Sequence, residues 1–340
     1  MLESFGSSVN EIEKDGFKIE ARIFNTLDGY NRVTMAKSLA IFMLQLPEVL
    51  DRMQADIVLI AGDRGEQAMA AIVAAHLYTP VAHIQSGEKS GNIDGVTRHA
   101  ITKWAHLHFC ANEDAAIRVE RMGEEKWRIH NVGASQLDEL VHGEVTSEKE
   151  IRTKFGLKAG KPVFIVVYHP VTEEFDQNEA NMSEVLKAVK EFDAQVVLVK
   201  HNSDAGGTMI QNAIEKYPLK DVHMVPNMPR EDYAGLLSTA DIIIGNSSSG
   251  IIEAPTFELP AVNIGRREDG RVQGANVINV PEYKAPEIKK AITEALKPEF
   301  RKKLKGMKNP YGDGQSSKRI VDILGSLPID DKLLIKQITY

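Results

Sequence analysis

The sequence has few of the residues that mark secreted or nucleic-acid-binding proteins. Its 340 residues include one cysteine and two tryptophans, and the formal net charge is −7. A single thiol excludes an internal disulfide, and Cys110 lies in an apolar run that predicts a buried side chain. The negative charge provides no basic surface for nucleic acid or an anionic membrane. We therefore expect no nucleic-acid partner, no membrane partner and a cytoplasmic protein.

Long apolar runs and metal-ligand spacings are also missing. No uninterrupted apolar run has the length that a membrane-spanning helix needs, and the first residues do not resemble a signal peptide. His106 and His108 alternate with apolar residues on a predicted strand, without a cysteine or acidic residue at metal-site spacing. We expect no bound metal ion.

The remaining pattern is an alternation of apolar strands with helices, in a chain longer than one core usually supports. Nearly continuous apolar strands indicate parallel sheets. The predicted strands are 57–61, 81–84, 106–110, 129–132, 163–168, 196–200, 222–225, 242–245, 260–264 and 276–280. A polar stretch at 141–161 interrupts the alternation. We predict an α/β protein with two Rossmann-like, doubly wound domains, residues 1–150 and 151–325, and a C-terminal tail, 326–340.

Ionisable side chains follow two successive strands of the first domain. Asp63 and Arg64 follow the first, and Glu88 and Asp94 lie in the loop after the second. Ligands bind outside the carboxyl ends of parallel strands, so this pattern predicts an active site. Two simpler interpretations stay open: Asp63 could cap the next helix, and Glu88 could be a solvated loop residue.

The second domain has signals for an anionic ligand. The strand IIIG leads into the turn NSSSG and then a helix, which offers backbone N–H groups to a phosphate. Glu253, in that helix, could accept hydrogen bonds from ribose hydroxyls. Arg267 and Arg271 follow another strand and could clamp a diphosphate. The turn matches neither the dinucleotide nor the P-loop fingerprint.

Seven ordered motifs extend this pattern from Ala61 to Ile320, within a similarity to a known family that runs from about Phe5 to Leu324. They are AGDR, HIQSGEKSGNIDGVTRHAITK, YHPVTEE, HNSDAG, GNSSSGIIEAP, GRREDGR and NPYGDGQSSKRI. In order and spacing the sequence resembles the hydrolysing UDP-N-acetylglucosamine 2-epimerases of sialic-acid-type pathways. The resemblance implies a GT-B arrangement of two Rossmann-like domains and conversion of UDP-N-acetylglucosamine to N-acetylmannosamine plus UDP. It also implies no cofactor, and a homodimer or a dimer of dimers.

The resemblance implies a mechanism and a set of site residues. A base removes the C2 proton while UDP leaves C1, which gives a glycal, and water then adds to yield the C2-inverted sugar. By position, the resemblance assigns catalytic roles to Asp63 and Asp94 and a UDP contact to His169. We add Glu88, a nearby carboxylate, and His169 to the predicted catalytic residues. The predicted substrate-binding residues are Arg64, Gln85, Asn202, Ser247, Ser248, Glu253, Arg267 and Arg271.

The sequence departs from the family at two places. Gln85 stands where the family often has a catalytic glutamate; glutamine cannot act as a general base, and the nearby Glu88 could take over. Gln85 could instead mark another sugar, such as a 2,4-diacetamido-trideoxy hexose, or weakened catalysis. The chain also starts roughly 35 residues into the family pattern, about the length of a strand–helix–strand unit. We therefore expect the first domain to lack its first strand, helix and second strand.

Two other function classes fit parts of the pattern. A GT-B glycosyltransferase would share the architecture and the diphosphate site but would need an acceptor. A nucleotide-sugar-binding remnant would bind UDP without turnover. Release of a free amino sugar without an acceptor distinguishes the epimerase from both.

Overall fold

The computed structural model describes residues 9–27, 31–200, 206–226 and 228–339. The chain divides into two compact units, each built around a parallel sheet. The first comprises Met1–Ser135 and Gln315–Tyr340, and the second comprises Gln136–Gly314. The predicted α/β class with two parallel-sheet domains is confirmed.

The described residues contain strands β1 Val58–Ala61, β2 Val81–Ile84, β3 Leu107–Cys110, β4 Ile129–Asn131, β5 Val163–Val167, β6 Gln195–Val199, β7 Val222–Val225, β8 Ile242–Gly245, β9 Ala261–Ile264 and β10 Val277–Val280. The helices are α1 Val9–Lys14, α2 Arg32–Met53, α3 Gly65–His76, α4 Ile93–Trp104, α5 Glu113–Arg121, α6 Gln136–His142, α7 Glu148–Lys154, α8 Asn178–Val189, α9 Gly207–Lys216, α10 Arg230–Thr239, α11 Ser249–Ile252, α12 Ala285–Ala295, α13 Pro298–Leu304, α14 Ser316–Ser326 and α15 Asp331–Leu334.

The sheet of the first unit has the order β1-β2-β3-β4, with every pair parallel. Val58 pairs with Val81, so β1 and β2 lie side by side with their carboxyl ends at the same edge. Strand β3 is buried along its whole length, as expected for a parallel strand covered on both faces. Strand β1 is at the edge of the described sheet, and its Leu59 is 49% exposed.

The sheet of the second unit has the order β10-β9-β8-β5-β6-β7, also all parallel. The chain runs outward from β5 to β6 and β7 on one side, and from β8 to β9 and β10 on the other. This reversal makes the β5/β8 junction the switch point of a doubly wound sheet, where such folds bind ligands. Apolar side chains from β5 and β8 pack on both faces of the sheet, among them Phe164 and Ile165.

The predicted strands agree with the observed ones to within one residue at each end. The helix predicted after the NSSSG turn is instead split: α11 ends at Ile252 and a 3₁₀ turn covers Ala254–Phe257. Pro255 explains the break, because it lacks the N–H group that would continue the α-helix.

Helix α2 was not predicted, and it corrects the expectation about apolar segments. Within its 22 residues, an 18-residue window has a mean hydropathy of 1.4, and 6% of that window is buried. By length and composition, the helix could therefore cross a membrane. The sequence shows no uninterrupted run here because Lys37 and Gln45 interrupt the apolar residues. The helix begins with a capping box in which Asn31 and Thr34 bond to each other's backbone N–H groups.

The division between the units differs from the predicted boundary at residue 150. Thr146 bonds to the carbonyl oxygen of Glu231 (3.1 Å) through its N–H and to Asp232 (2.9 Å) through its hydroxyl. These contacts join residues 136–150 to the second unit. At the C-terminal end the difference is larger. The second domain was predicted to extend to residue 325, but residues 315–340 belong to the first unit.

The segment predicted as a C-terminal tail is bound to the first unit by hydrogen bonds. The buried guanidinium of Arg128 donates to the carbonyl oxygens of Lys332 (2.7 Å), Leu333 (2.8 Å) and Ile335 (3.3 Å). Thr339 adds a backbone bond of 2.8 Å to the carbonyl oxygen of Gly123. Residues 330–339 are therefore a structural part of this unit.

Candidate active site

In the first unit, one buried arginine connects the two strand ends that were predicted to carry the chemistry. Arg98, on α4, is 2% exposed, and its Nη2 forms an ion pair with Asp63 just after β1. Its Nη1 donates to the carbonyl oxygen of Glu88 (3.2 Å) and to the hydroxyl of Ser90 (3.1 Å), in the loop after β2. The predicted acidic strand ends therefore lie together.

A buried histidine fixes the same two strand ends to each other. His83 Nε2 lies 2.7 Å from the carbonyl oxygen of Gly62, and burial lowers the pKa of His83 to about 3. The ring is therefore neutral, and its Nε2–H donates to the carbonyl. Because Gly62 directly precedes Asp63, this bond also fixes the backbone from which the Asp63 side chain extends.

The loop after β2 is tightly packed. Gln85 has a φ of 63°, in the left-handed region, which costs a non-glycine residue roughly 1–3 kcal/mol. Gly87, with a φ of 78°, has no room for a side chain, because a Cβ would lie 2.4 Å from the carbonyl oxygen of Ala115. Glu88 is 3% exposed, so its alternative interpretation as a solvated loop residue is wrong.

The remaining predicted residues of this unit lie at helix N-termini. Asp94 is in the first turn of α4, and its carboxylate accepts a 2.8 Å hydrogen bond from Asn92. Arg64 is the N-cap residue of α3, with a side chain that is 46% exposed and lies 3.8 Å from Glu66. The Asp63 side chain is 19% exposed, so its carboxylate is within reach of a bound ligand.

In the second unit, Asn246 clamps His169 at the switch point of the sheet. The Asn246 side chain accepts from the His169 N–H (2.7 Å) and donates to the His169 carbonyl (2.8 Å). Asn246 is completely buried directly after β8, and His169 follows β5. Sequence reasoning predicted His169 but missed Asn246.

The turn after β8 carries the predicted serines, and Glu253 follows the short helix α11. Ser247 and Ser248 are partly exposed, and the Ser247 hydroxyl accepts from the Ser249 N–H at 3.3 Å. Glu253 is buried, and both of its oxygens accept hydrogen bonds, from Arg230 (2.9 Å) and from Ser249 (2.6 Å). Any contact of Glu253 with ribose hydroxyls must use the remaining lone pairs.

The predicted arginines of the loop after β9 are organised by a buried acid. Glu268, 2% exposed, pairs with Arg267 through one oxygen and with Arg271 through the other, both at 2.6 Å. Arg267 also donates to the carbonyl oxygen of Asn246 at 3.2 Å. Arg267 and Asn246 therefore belong to one cluster at the carboxyl ends of the central strands.

Three organising residues, Arg98, Asn246 and Glu268, were missed, although each lies inside a motif. Arg98 stands four residues after Asp94, one helical turn along the same helix, which was an available signal. The predicted Asn202 lies outside the described residues. Within the described ranges, no group of three His, Cys, Asp or Glu side chains could hold a metal ion.

The sequence profile of the UDP-N-acetylglucosamine 2-epimerase family matches residues 1–325. The chain belongs to this family. It is 37% identical over 339 residues to the UDP-N,N'-diacetylbacillosamine 2-epimerase (hydrolyzing) of Legionella pneumophila, which covers 99% of this chain and 88% of that protein. It is 30% identical over 295 residues to the UDP-N-acetylglucosamine 2-epimerase of Neisseria meningitidis serogroup B, covering 87% and 77%.

Solved structures of UDP-N-acetylglucosamine 2-epimerases share the fold. That of the Neisseria meningitidis enzyme, bound to UDP-GlcNAc, has a TM-score of 0.79 at 20% identity and covers 93% of this chain and 88% of that one. That of the Methanocaldococcus jannaschii enzyme has a TM-score of 0.76 at 19% identity, covering 95% and 90%. This member of the 2-epimerase family is therefore a nucleotide-sugar 2-epimerase of the hydrolysing type.

Proposed function

We propose that this epimerase acts on UDP-N,N'-diacetylbacillosamine, releasing UDP and the C2-inverted 2,4-diacetamido sugar. The 37% identity over nearly the whole chain supports this substrate, as does a 31% identical relative named a GDP/UDP-N,N'-diacetylbacillosamine 2-epimerase from Campylobacter jejuni. The observation that carries the chemistry is the Arg98 bridge, which joins the Asp63 carboxylate to the loop of Glu88.

The proposed reaction uses the acidic groups of the first unit on the sugar. A carboxylate takes the C2 proton, the C1–O bond to the diphosphate breaks, and the C1=C2 bond of a glycal forms. Water then adds its oxygen to C1, while C2 receives a proton from the opposite face. Asp63, Glu88 and Asp94 are the proposed proton-transfer groups, Gln85 orients a sugar hydroxyl or a water, and Arg64 is the proposed sugar-side cation.

The second unit would stabilise the departing diphosphate. Ser247 and Ser248 would donate to its oxygens, and Arg267 and Arg271 would neutralise its charge. Asn246 holds the backbone of His169 through two hydrogen bonds, and the His169 side chain is the proposed catalytic group beside these serines and arginines. Glu253 and Asn202 are proposed UDP contacts. No cofactor takes part in this scheme.

The second candidate substrate is UDP-N-acetylglucosamine, the substrate that the sequence resemblance implies. It is favoured by the family profile and by the 30% identical Neisseria meningitidis relative. The two substrates differ at C4 and C6 of the sugar, away from the reacting carbons. Gln85, in place of a glutamate, is compatible with the modified sugar but does not by itself select it.

The test is proton NMR of the purified protein in deuterated water with each UDP-sugar in turn. We expect UDP release and a product deuterated at C2, with a higher kcat/KM for the diacetamido sugar. Asp63→Asn should lower kcat by roughly 100-fold to 10,000-fold, the usual range for loss of a general acid or base. Asp56→Asn, an exposed residue just before β1, is the control. Faster turnover of UDP-N-acetylglucosamine would reverse the substrate order, and turnover of neither sugar would contradict the proposal.

We further propose a cytoplasmic homodimer or dimer of dimers without a nucleic-acid or membrane partner. Light scattering on the purified protein tests the assembly, and fractionation of the source cells tests the location. Fractionation is needed because helix α2 has the length and composition of a membrane span.

A further inference from the structure

A chain of buried hydrogen bonds runs from the loop after β2 to the C-terminal segment. The Ser86 hydroxyl lies 3.3 Å from His108 Nδ1, and His108 Nε2 lies 3.2 Å from Glu124 Oε2. Lys336 completes it with a 2.8 Å ion pair to the same oxygen of Glu124. We name Ser86, His108, Glu124 and Lys336 the buried relay.

The direction of each bond follows from the chemistry of the groups. Glu124 is held as a carboxylate: burial alone would raise its pKa, but hydrogen bonds from His108, Lys336 and Lys103 lower the pKa to about 2. His108 Nε2 must therefore carry the proton that it shares with Glu124. Burial lowers the pKa of His108, so the ring is neutral and Nδ1 accepts from the Ser86 hydroxyl.

The relay has the atom order of a Ser-His-acid triad, but it has no access to a substrate. Ser86 and His108 are completely buried, and Glu124 is 1% exposed. A nucleophilic serine would need an open face for the reacting carbonyl. The relay must therefore act through the backbone that it holds.

That backbone belongs to the proposed catalytic loop. Ser86 stands between Gln85, in its left-handed conformation, and the glycine that precedes Glu88. A strained residue persists only where its surroundings hold it in place. The Ser86 N–H donates to the carbonyl oxygen of Phe109 (3.2 Å), and its hydroxyl provides two further attachments at 3.3 Å, to His108 Nδ1 and to Thr102 Oγ1.

The other end of the relay is anchored by the C-terminal segment. Lys336 donates to the carbonyl oxygens of Thr102 (2.9 Å), Lys103 (2.8 Å) and Ala105 (2.9 Å), at the end of α4. The same helix carries Arg98 and Asp94 in its first two turns. Lys336 therefore connects the end of α4 to the acid of the relay.

We propose that His108 is a positioning residue for the 2-epimerase reaction: it fixes the loop carrying Gln85 and Glu88 through Ser86, and Glu124 and Lys336 hold its ring in the required tautomer. The proposal rests on the function proposed above, in which this loop contacts the sugar. It gives Lys336, in the C-terminal segment, a role in holding this loop.

Two substitutions of His108 separate its two bonds. His108→Asn places an amide oxygen near the position of Nδ1, which preserves the acceptor for Ser86 but does not reach Glu124. His108→Gln places an amide nitrogen near the position of Nε2, which preserves the donor to Glu124 and removes the acceptor for Ser86. Each variant loses one buried hydrogen bond, so a merely structural role would affect both alike.

We expect His108→Gln and Ser86→Ala to lower kcat by roughly 10-fold to 100-fold with little change in KM, the usual effect of misplacing a catalytic group. His108→Asn should stay within a few-fold of the wild type. Lys336→Met should lower kcat less than His108→Gln, whereas Lys332→Met, an exposed lysine of the same segment, should not change it. Equal losses in the two His108 variants, or full activity of Ser86→Ala, would overturn the proposal.

Hydrogen–deuterium exchange of the backbone provides a readout that needs no turnover. Amides 85–90 should exchange faster in His108→Gln than in His108→Asn or the wild type. If the wild type turns over neither UDP-sugar, the proposed function fails, but the exchange difference still tests the hold on the loop. If the wild type is active and the exchange of the two His108 variants is identical, the relay proposal alone fails.

Discussion

Arg98 forms a buried ion pair with Asp63, 35 positions earlier in the chain. The same guanidinium bonds to the carbonyl oxygen of Glu88, so one side chain contacts both acidic strand ends. Substitutions of Arg98 therefore test the candidate site residues of the first unit.

Arg98→Met should destabilise the folded protein by about 3–5 kcal/mol, because it leaves the Asp63 carboxylate without its buried cation. Arg98→Lys keeps the charge but cannot form the two-pronged contact, so it should retain more stability and still lose activity. Urea denaturation and the NMR assay measure the two effects. Arg121→Lys, at an exposed position of α5, is the control. Full activity of Arg98→Lys would show that the bridge is dispensable.

Asn246→Ala should weaken UDP binding by about 1–3 kcal/mol, because the backbone of His169 loses both of its side-chain hydrogen bonds. Asn246→Asp replaces the donor with a charged acceptor that faces the His169 carbonyl oxygen, so it should weaken UDP binding at least as much as the alanine variant. Isothermal titration calorimetry with UDP gives the affinities. The matched control is Asn212→Ala, on the exposed side of α9. Unchanged UDP affinity in Asn246→Ala would contradict a ligand site at the β5/β8 junction.

Arg267→Met should reduce the affinity for UDP by roughly 10-fold to 100-fold, the usual contribution of a charge-assisted hydrogen bond. Arg266→Met should have little effect, since Arg266 is exposed and pairs with Glu174 at 2.9 Å. Titrations with UDP at low and high salt measure both variants. An equal loss of affinity in the two would place the diphosphate elsewhere than beside Arg267.

Acid should destabilise the first unit through His83. The folded state lowers the pKa of His83 from 6.5 to about 3, so between these pH values the unfolded chain binds one proton more at this residue. Stability from this residue is therefore complete above pH 6.5 and is lost as the pH falls towards 3.

His83→Gln keeps a donor for the carbonyl of Gly62 and removes the titration. The slope of unfolding free energy against pH in this interval should decrease by about 1.4 kcal/mol per pH unit. Urea unfolding at several pH values measures it, with His142→Gln, an exposed histidine, as the control. A slope identical to that of the wild type would mean that His83 is protonated in the folded protein.

Local sequence was sufficient to predict the strands and the loops that follow them. The three isoleucines before Gly245 and the apolar run before Tyr168 identify strands without any tertiary information, because burial on both faces leaves a continuous apolar run. Chain order then assigns Asp63, Glu88 and His169 to carboxyl strand ends. The same logic failed for α2, because polar residues divide its apolar positions.

What the sequence alone determined is therefore the α/β class, the family and the loops that carry the site, since these depend on residues close together in the chain. Only the tertiary structure decided which side chains organise those loops. Arg128 reaches Leu333, 205 positions away, and Lys336 reaches Ala105, 231 positions away. No local pattern encodes such pairings, because they arise when the C-terminal segment folds back onto the first unit. For the same reason the segment predicted as a tail is part of the first unit.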